Sequence, residues 1–163
     1  MASTSPRGAT PATRELAAAG VAFTEHPYSH DENHPSYGAE ADEALGLDPA
    51  SVFKTLLAQV DGRLVVAVLP VTSSLRLKAL AAATGGKKAT LADPADAERA
   101  TGYVVGGISP VGQRKALPTV VDSSALHWDR VLCSAGKRGL SVSLDPRDLV
   151  RLTGAVTADI CAG

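Results

Sequence analysis

Cysteine is scarce: Cys133 and Cys161 are the only two in 163 residues. They form no CxxC pair and cannot build a zinc knuckle by themselves, so structural thiols are the reading left for them. Aromatic residues make up only 4% of the chain, and the apolar 45% is mainly Ala, Val and Leu, so the core is filled with small aliphatic side chains rather than rings. No apolar run approaches the roughly 20 residues of a membrane-spanning helix. The opening MASTSPRGAT lacks the apolar stretch of a secretion signal, and the expected location is the cytoplasm. Excess charge of one sign is also missing. With a net charge of −1 the chain has no basic footprint of a bulk nucleic-acid binder, and DNA is not an expected partner. No GxSxG elbow and no Cys/His pairing is evident from spacing, so the chain offers no recognisable nucleophile of its own.

What is present is the composition of one globular domain. Residues 1–9 are small, polar and Pro/Gly-rich and read as a flexible tail, leaving 10–163 as the domain. Thr10-Pro11 opens a helix that Gly20 closes, and Val21 to His26 follows as a strand. The polar loop PYSHDENHPS leads to a helix over about 37–45. Strands are expected on both sides of the Asp61-Gly62 turn, the first carrying Lys54. Ser73 and Ser74 are placed to cap a helix over 75–83, and Asp93-Pro94 begins another. Short strands at 89–92, 103–105, 119–121, 131–134 and 140–144 and a helix from Asp145-Pro146 to Leu152 complete the pattern. Frequent hairpins among helices predict an α+β fold with a mixed, largely antiparallel sheet.

Three stretches stand out. In VFKTLL, Val52 to Leu57, strand alternation puts Lys54 in the company of Val52 and Leu56. An ammonium there is costly without a partner. An edge lysine that blocks aggregation is the plain structural reading. In TGYVVGGISPVGQRK, Thr101 to Lys115, a short apolar strand is expected to stop at Gly106-Gly107, where backbone can approach a ligand and aim N–H groups at it. In SAGKRGLSV, Ser134 to Val142, a strand runs into a glycine-bracketed basic turn. Basic pairs at Lys87-Lys88, Arg114-Lys115 and Lys137-Arg138 stand beside such turns and are spaced to track a short phosphate backbone, although a solvated surface explains them equally well.

FKTL, TGYVVGGISPVGQ and GKRGLSV, in that order, resemble the YbaK family of freestanding Cys-tRNA(Pro) deacylases, related to the editing domain inserted in bacterial prolyl-tRNA synthetases. The likeness runs from about Thr10 to Ile160. It implies an α+β domain around a barrel-like curved sheet, flanked by helices, and an enzyme that cleaves the ester of a wrongly charged tRNA. Lys54 matches the family's essential lysine. Tyr28, Thr55 and Ser134 match polar pocket positions, while Gly107, Ile108, Ser109 and Pro110 match the loop facing the reacting carbonyl. Gly136, Lys137 and Arg138 are expected to grip the acceptor end. Ala135 departs from the family, which commonly has a second glycine there.

The resemblance implies Cys-tRNA(Pro) as substrate, with Cys-tRNA(Cys) as an extension, and a ternary complex with prolyl-tRNA synthetase. Two alternatives stay open: removal of Ala from tRNA(Pro), and a non-catalytic module that holds an aminoacyl or nucleotide ligand or docks to a synthetase. No cofactor is implied. His30 and His34 have helical spacing, but Pro35 argues against a helix and no third ligand presents itself, so no metal is expected. His26 and His127 have no evident partners and read as structural.

Overall fold

The run from Leu64 to Leu69 is apolar without alternation, the mark of a strand buried on both faces. In the computed structural model, which describes residues 9–28 and 47–162, this run is β3 (Arg63–Pro70), at the centre of the larger sheet. Its two sides feed two cores. Val66 and Val68 join Phe53, Leu57, Val121, Val142 and Leu149 in the main one. Val65, Ala67 and Leu69 pack with Leu80, Ala81 and Ile160 on the other side.

The chain order is α1 (Pro11–Ala18), β1 (Phe23–Pro27), β2 (Phe53–Val60), β3, β4 (Ser74–Leu75), α2 (Leu77–Ala83), β5 (Ala89–Leu91) and α3 (Pro94–Thr101). Then come β6 (Thr119–Asp122), β7 (Val131–Lys137), β8 (Leu140–Leu144), α4 (Pro146–Thr153), β9 (Val156–Ala158) and β10 (Cys161–Ala162). Short 3-10 helices lie at Pro49–Ser51 and Ser123–His127. Five strands form a sheet in the order β5-β2-β3-β6-β9, three form β1-β8-β7, and β10 pairs with β4. The pairings are antiparallel except β3 with β6 and β6 with β9, so the mixed, largely antiparallel α+β fold is as expected.

The curved barrel is not closed. Among the described residues the five- and three-stranded sheets meet through one isolated bridge, Val52 with Leu132, where β2 leaves its 3-10 turn. The hairpin at Asp61-Gly62 forms as read, with φ of 50° and 82° at its two central residues. The Asp61 carboxylate also accepts the N–H groups of Lys87 and Lys88 at 3.0 Å each.

Three expectations need correction. Ser73 and Ser74 do not cap a helix. Ser74 belongs to β4, and the helix starts at Leu77 without a side-chain cap. The C-terminal segment claims these residues: β10 pairs with β4, and the N–H of Arg76 donates to the carbonyl of Ile160 at 2.8 Å. Residues 103–105 are not a strand. Gly102 ends α3 in a left-handed turn, Tyr103 plunges into the core with its hydroxyl on the Val111 carbonyl at 2.7 Å, and Val104 and Val105 are exposed. His26 is not without a partner: its Nε2 lies 2.8 Å from the Ser143 hydroxyl, and burial lowers its pKa. The helix read over 37–45 and the His30/His34 loop lie outside the described residues.

Candidate active site

β5 covers β2 only at Ala58 to Val60, and the bridge to β7 touches it only at Val52. Between these points one edge of β2 is open. The Leu57 carbonyl accepts the Ala92 N–H at 2.9 Å on that side. By strand alternation, Thr55 turns its own N–H and C=O the same way, toward a position that no strand occupies among the described residues. A cavity of about 400 Å³ lies along this edge. Lys54 and Thr55 line it, with Tyr28, Cys133 and Ser134 from the smaller sheet's side and Gly106 and Ile108 from the glycine loop.

Lys54 is half-buried, and burial lowers its pKa. The ion pairs of the described residues join Arg99 to Asp96, Arg147 to Asp145 and Arg151 to Asp148, and none includes Lys54. The Thr55 hydroxyl is buried with no hydrogen-bond partner among the described residues. Leaving such a group unsatisfied costs about 1–3 kcal/mol. Among the described residues neither the Lys54 ammonium nor the Thr55 hydroxyl has an ion-pair or hydrogen-bond partner, and both residues line the cavity.

The thiol that lines the cavity is not a ready nucleophile. Cys133 is buried, and burial pushes its pKa up to about 12. Its side chain belongs to the main core, as the sequence suggested, but it also lines the cavity. The Cys133→Ala variant is therefore expected to keep its turnover within about threefold while losing about 1–2 kcal/mol of stability from the lost packing. Parallel kinetics and denaturant unfolding check this; loss of activity in a folded variant would identify Cys133 as a participant. The Ser134 hydroxyl accepts the Gly136 N–H at 3.1 Å, holding the bulge where β7 turns toward β8.

The other expected residues do not line the cavity. Ser109 is fully buried; its hydroxyl accepts the Val111 N–H at 3.2 Å, and Pro110 is buried beside it. The Gly107 N–H is used in a turn to the Val104 carbonyl at 2.9 Å. In the 106–109 loop, the N–H groups of Gly106 and Ile108 are the ones carried by residues that line the cavity. Gly107 instead allows two loops to touch. A Cβ there would stand 2.8 Å from Lys137 Cα and 2.9 Å from the Arg138 nitrogen. Gly136 does the same against Tyr103, where a Cβ would meet the ring at 2.6 Å. Lys137 and Arg138 are exposed.

Because the atoms in its way are backbone, Gly107→Ala is expected to cost about 1–3 kcal/mol of stability. By pushing the glycine loop off its seat it should also lower turnover by more than tenfold, a loss larger than unfolding explains. Turnover measured beside thermal unfolding checks this; loss of activity only in proportion to the unfolded fraction would make the glycine purely structural.

Sequence reasoning missed several members of the site. Leu91, Ala92 and Ala97 line it, and Glu98 holds the loop through the Val105 N–H at 2.9 Å. Nothing local marks them, because their role depends on where α3 packs. Among the described residues no three metal-ligating side chains gather, and no helix is long and apolar enough to cross a membrane.

An open strand edge, a lysine with no ion-pair partner among the described residues and a glycine loop thus lie around one cavity. The chain belongs to the aminoacyl-tRNA editing domain family, whose profile matches residues 32–152. It is 38% identical over 142 residues to the Enterococcus faecalis protein provisionally named Cys-tRNA(Pro)/Cys-tRNA(Cys) deacylase EbsC, covering 86% of this chain and 85% of that one. It is 33% identical to the Escherichia coli K12 multifunctional Ser/Thr-tRNA deacylase ProXp-y, over 61% of this chain and 62% of that one. The fold superposes with a TM-score of 0.81 on a crystal structure provisionally described as a trans-editing enzyme for prolyl tRNA synthetase, at 26% identity, covering 99% of this chain and all of that one.

Proposed function

We propose that this protein is a trans-editing deacylase that cleaves the ester of mischarged Cys-tRNA(Pro), and of Cys-tRNA(Cys), in the cytoplasm. The observation that carries this reading is that Lys54 and Thr55, whose side chains have no ion-pair or hydrogen-bond partner among the described residues, line a cavity of about 400 Å³. Similarity to EbsC over most of both chains supports cysteine as the amino acid. The likeness to a structure described for prolyl tRNA synthetase supports a ternary complex with that enzyme and the tRNA.

The substrate brings its own nucleophile. Its thiol sulfur bonds to the ester carbonyl carbon, the oxyanion that forms is steadied by main-chain N–H groups of the glycine loop, and collapse expels the ribose oxygen, which takes up the thiol proton. A small thiolactone ring leaves, and water opens it to free cysteine. Holding thiol and carbonyl together is what the cavity contributes, and such positioning lowers barriers by several kcal/mol. Lys54 holds the ribose or the phosphate of the acceptor end, and the exposed Lys137 is available for the next phosphates.

The test is incubation with Cys-tRNA(Pro) and measurement of the surviving ester, with tRNA binding followed in parallel. Loss of ester well above the spontaneous rate is expected. Binding without cleavage would make the protein a carrier or docking module.

A further inference from the structure

Arg138 is exposed and outside the cavity, yet its guanidinium has a specific partner. Nε and Nη2 both donate to the Val105 carbonyl, at 3.0 and 2.6 Å. The N–H of the same residue donates to Oε2 of Glu98 at 2.9 Å. Val105 is thus gripped at both main-chain groups, by a cation from the β7–β8 turn and by an anion from the last turn of α3.

The consequence falls on the next residue. Gly106 has a φ of 90° and is followed by another glycine, so the peptide joining it to Val105 has few steric restraints on its rotation. In a trans peptide the carbonyl and the following N–H point in opposite directions, and the described residues contain no cis bond. Fixing the Val105 carbonyl on Arg138 therefore fixes the Gly106 N–H on the opposite side. That N–H has no partner among the described residues, and Gly106 lines the cavity.

We infer that Arg138 and Glu98 are positioning residues that clamp the Val105 peptide so that the Gly106 N–H is held ready for the substrate's oxyanion. This rests on the proposed deacylation and gives Arg138 of the basic turn a duty other than phosphate contact. A preorganised donor is worth more than one that must rotate into place during the reaction.

Arg138→Ala is expected to lower the single-turnover rate on Cys-tRNA(Pro) at least about tenfold at saturating protein, while the half-saturating concentration changes less than about threefold. Arg138→Lys, which keeps the charge but loses the planar fork, is expected to recover little. Nitrogen–proton correlation spectra read the clamp without activity. The amides of Val105, Gly106 and Gly107 should shift or broaden in Arg138→Ala, and the Val105 amide should shift in Glu98→Gln, while that of Val120 in the central sheet stays in place. A direct phosphate contact gives the opposite pattern: weaker binding, an unchanged rate at saturation and rescue by lysine. That pattern, or a Gly106 amide indifferent to Arg138, overturns the clamp. If the wild-type protein cleaves no aminoacyl ester, the proposed deacylation fails, and the oxyanion role of the Gly106 N–H fails with it.

Discussion

Lys54→Ala is expected to lower deacylation of Cys-tRNA(Pro) by at least about a hundredfold in a protein that remains folded. The two halves of this expectation come from the same observation. A half-buried ammonium with no carboxylate partner among the described residues gives the fold little and costs it desolvation. Its depressed pKa carries the sign of that cost. The unfolded chain holds the proton more tightly, so the penalty is fully present below the folded-state pKa. It is relieved as pH rises from that value toward the ordinary lysine pKa of 10.5. Removing the side chain removes the penalty, offset by lost packing of its aliphatic stem, and stability should stay within about 1 kcal/mol of the wild type. Circular dichroism and thermal unfolding beside the rate measurement check both halves. Retained activity in the folded variant would take the reaction away from Lys54.

The second large effect is on the substrate. Seryl-tRNA(Pro) has nearly the shape of the cysteinyl ester, but its hydroxyl is a far weaker nucleophile near neutral pH than a thiol, of which a few per cent is already ionised. Seryl-tRNA(Pro) is expected to bind comparably and to react at least about a hundredfold more slowly. The comparison matters because one relative, over a smaller share of both chains, is named for Ser/Thr-tRNA deacylation. Equal cleavage of the two esters would mean that water or the protein performs the attack and would align this chain with that relative.

Where local chemistry decides structure, the sequence was informative. Thr10-Pro11, Asp93-Pro94 and Asp145-Pro146 each open a helix, with the Thr10, Asp93 and Asp145 side chains on the N–H groups that helix starts leave free. The Asp61-Gly62 hairpin and the placing of Lys54 on a strand follow from turn propensity and alternation. Where a distant segment decides, it was not. Ser74 and Leu75 are drawn into a strand by Cys161 and Ala162, a pairing with no local signal. Val104 and Val105 have strand-like side chains, but Gly102 turns the chain and Tyr103 anchors it inward.

The site shows the same division. Lys54, Thr55, Tyr28, Ile108 and Ser134 do surround one cavity. Ser109 and Pro110 support the loop from behind, and Gly107 serves a close approach between loops. The pairing of Glu98 with Val105 and of Arg138 with the same residue depends on how α3 and the β7–β8 turn pack together. No spacing in the chain announces it. Ala135 fits the same pattern: its carbonyl accepts the Thr10 hydroxyl, tying α1 to β7.

The most direct measurement is the chemical form in which cysteine leaves the tRNA. A single turnover on Cys-tRNA(Pro), quenched early and read by mass spectrometry, is expected to show cysteine thiolactone appearing in step with uncharged tRNA, with free cysteine following. Free cysteine appearing from the outset, in step with the tRNA and with no thiolactone before it, would contradict attack by the substrate's own thiol.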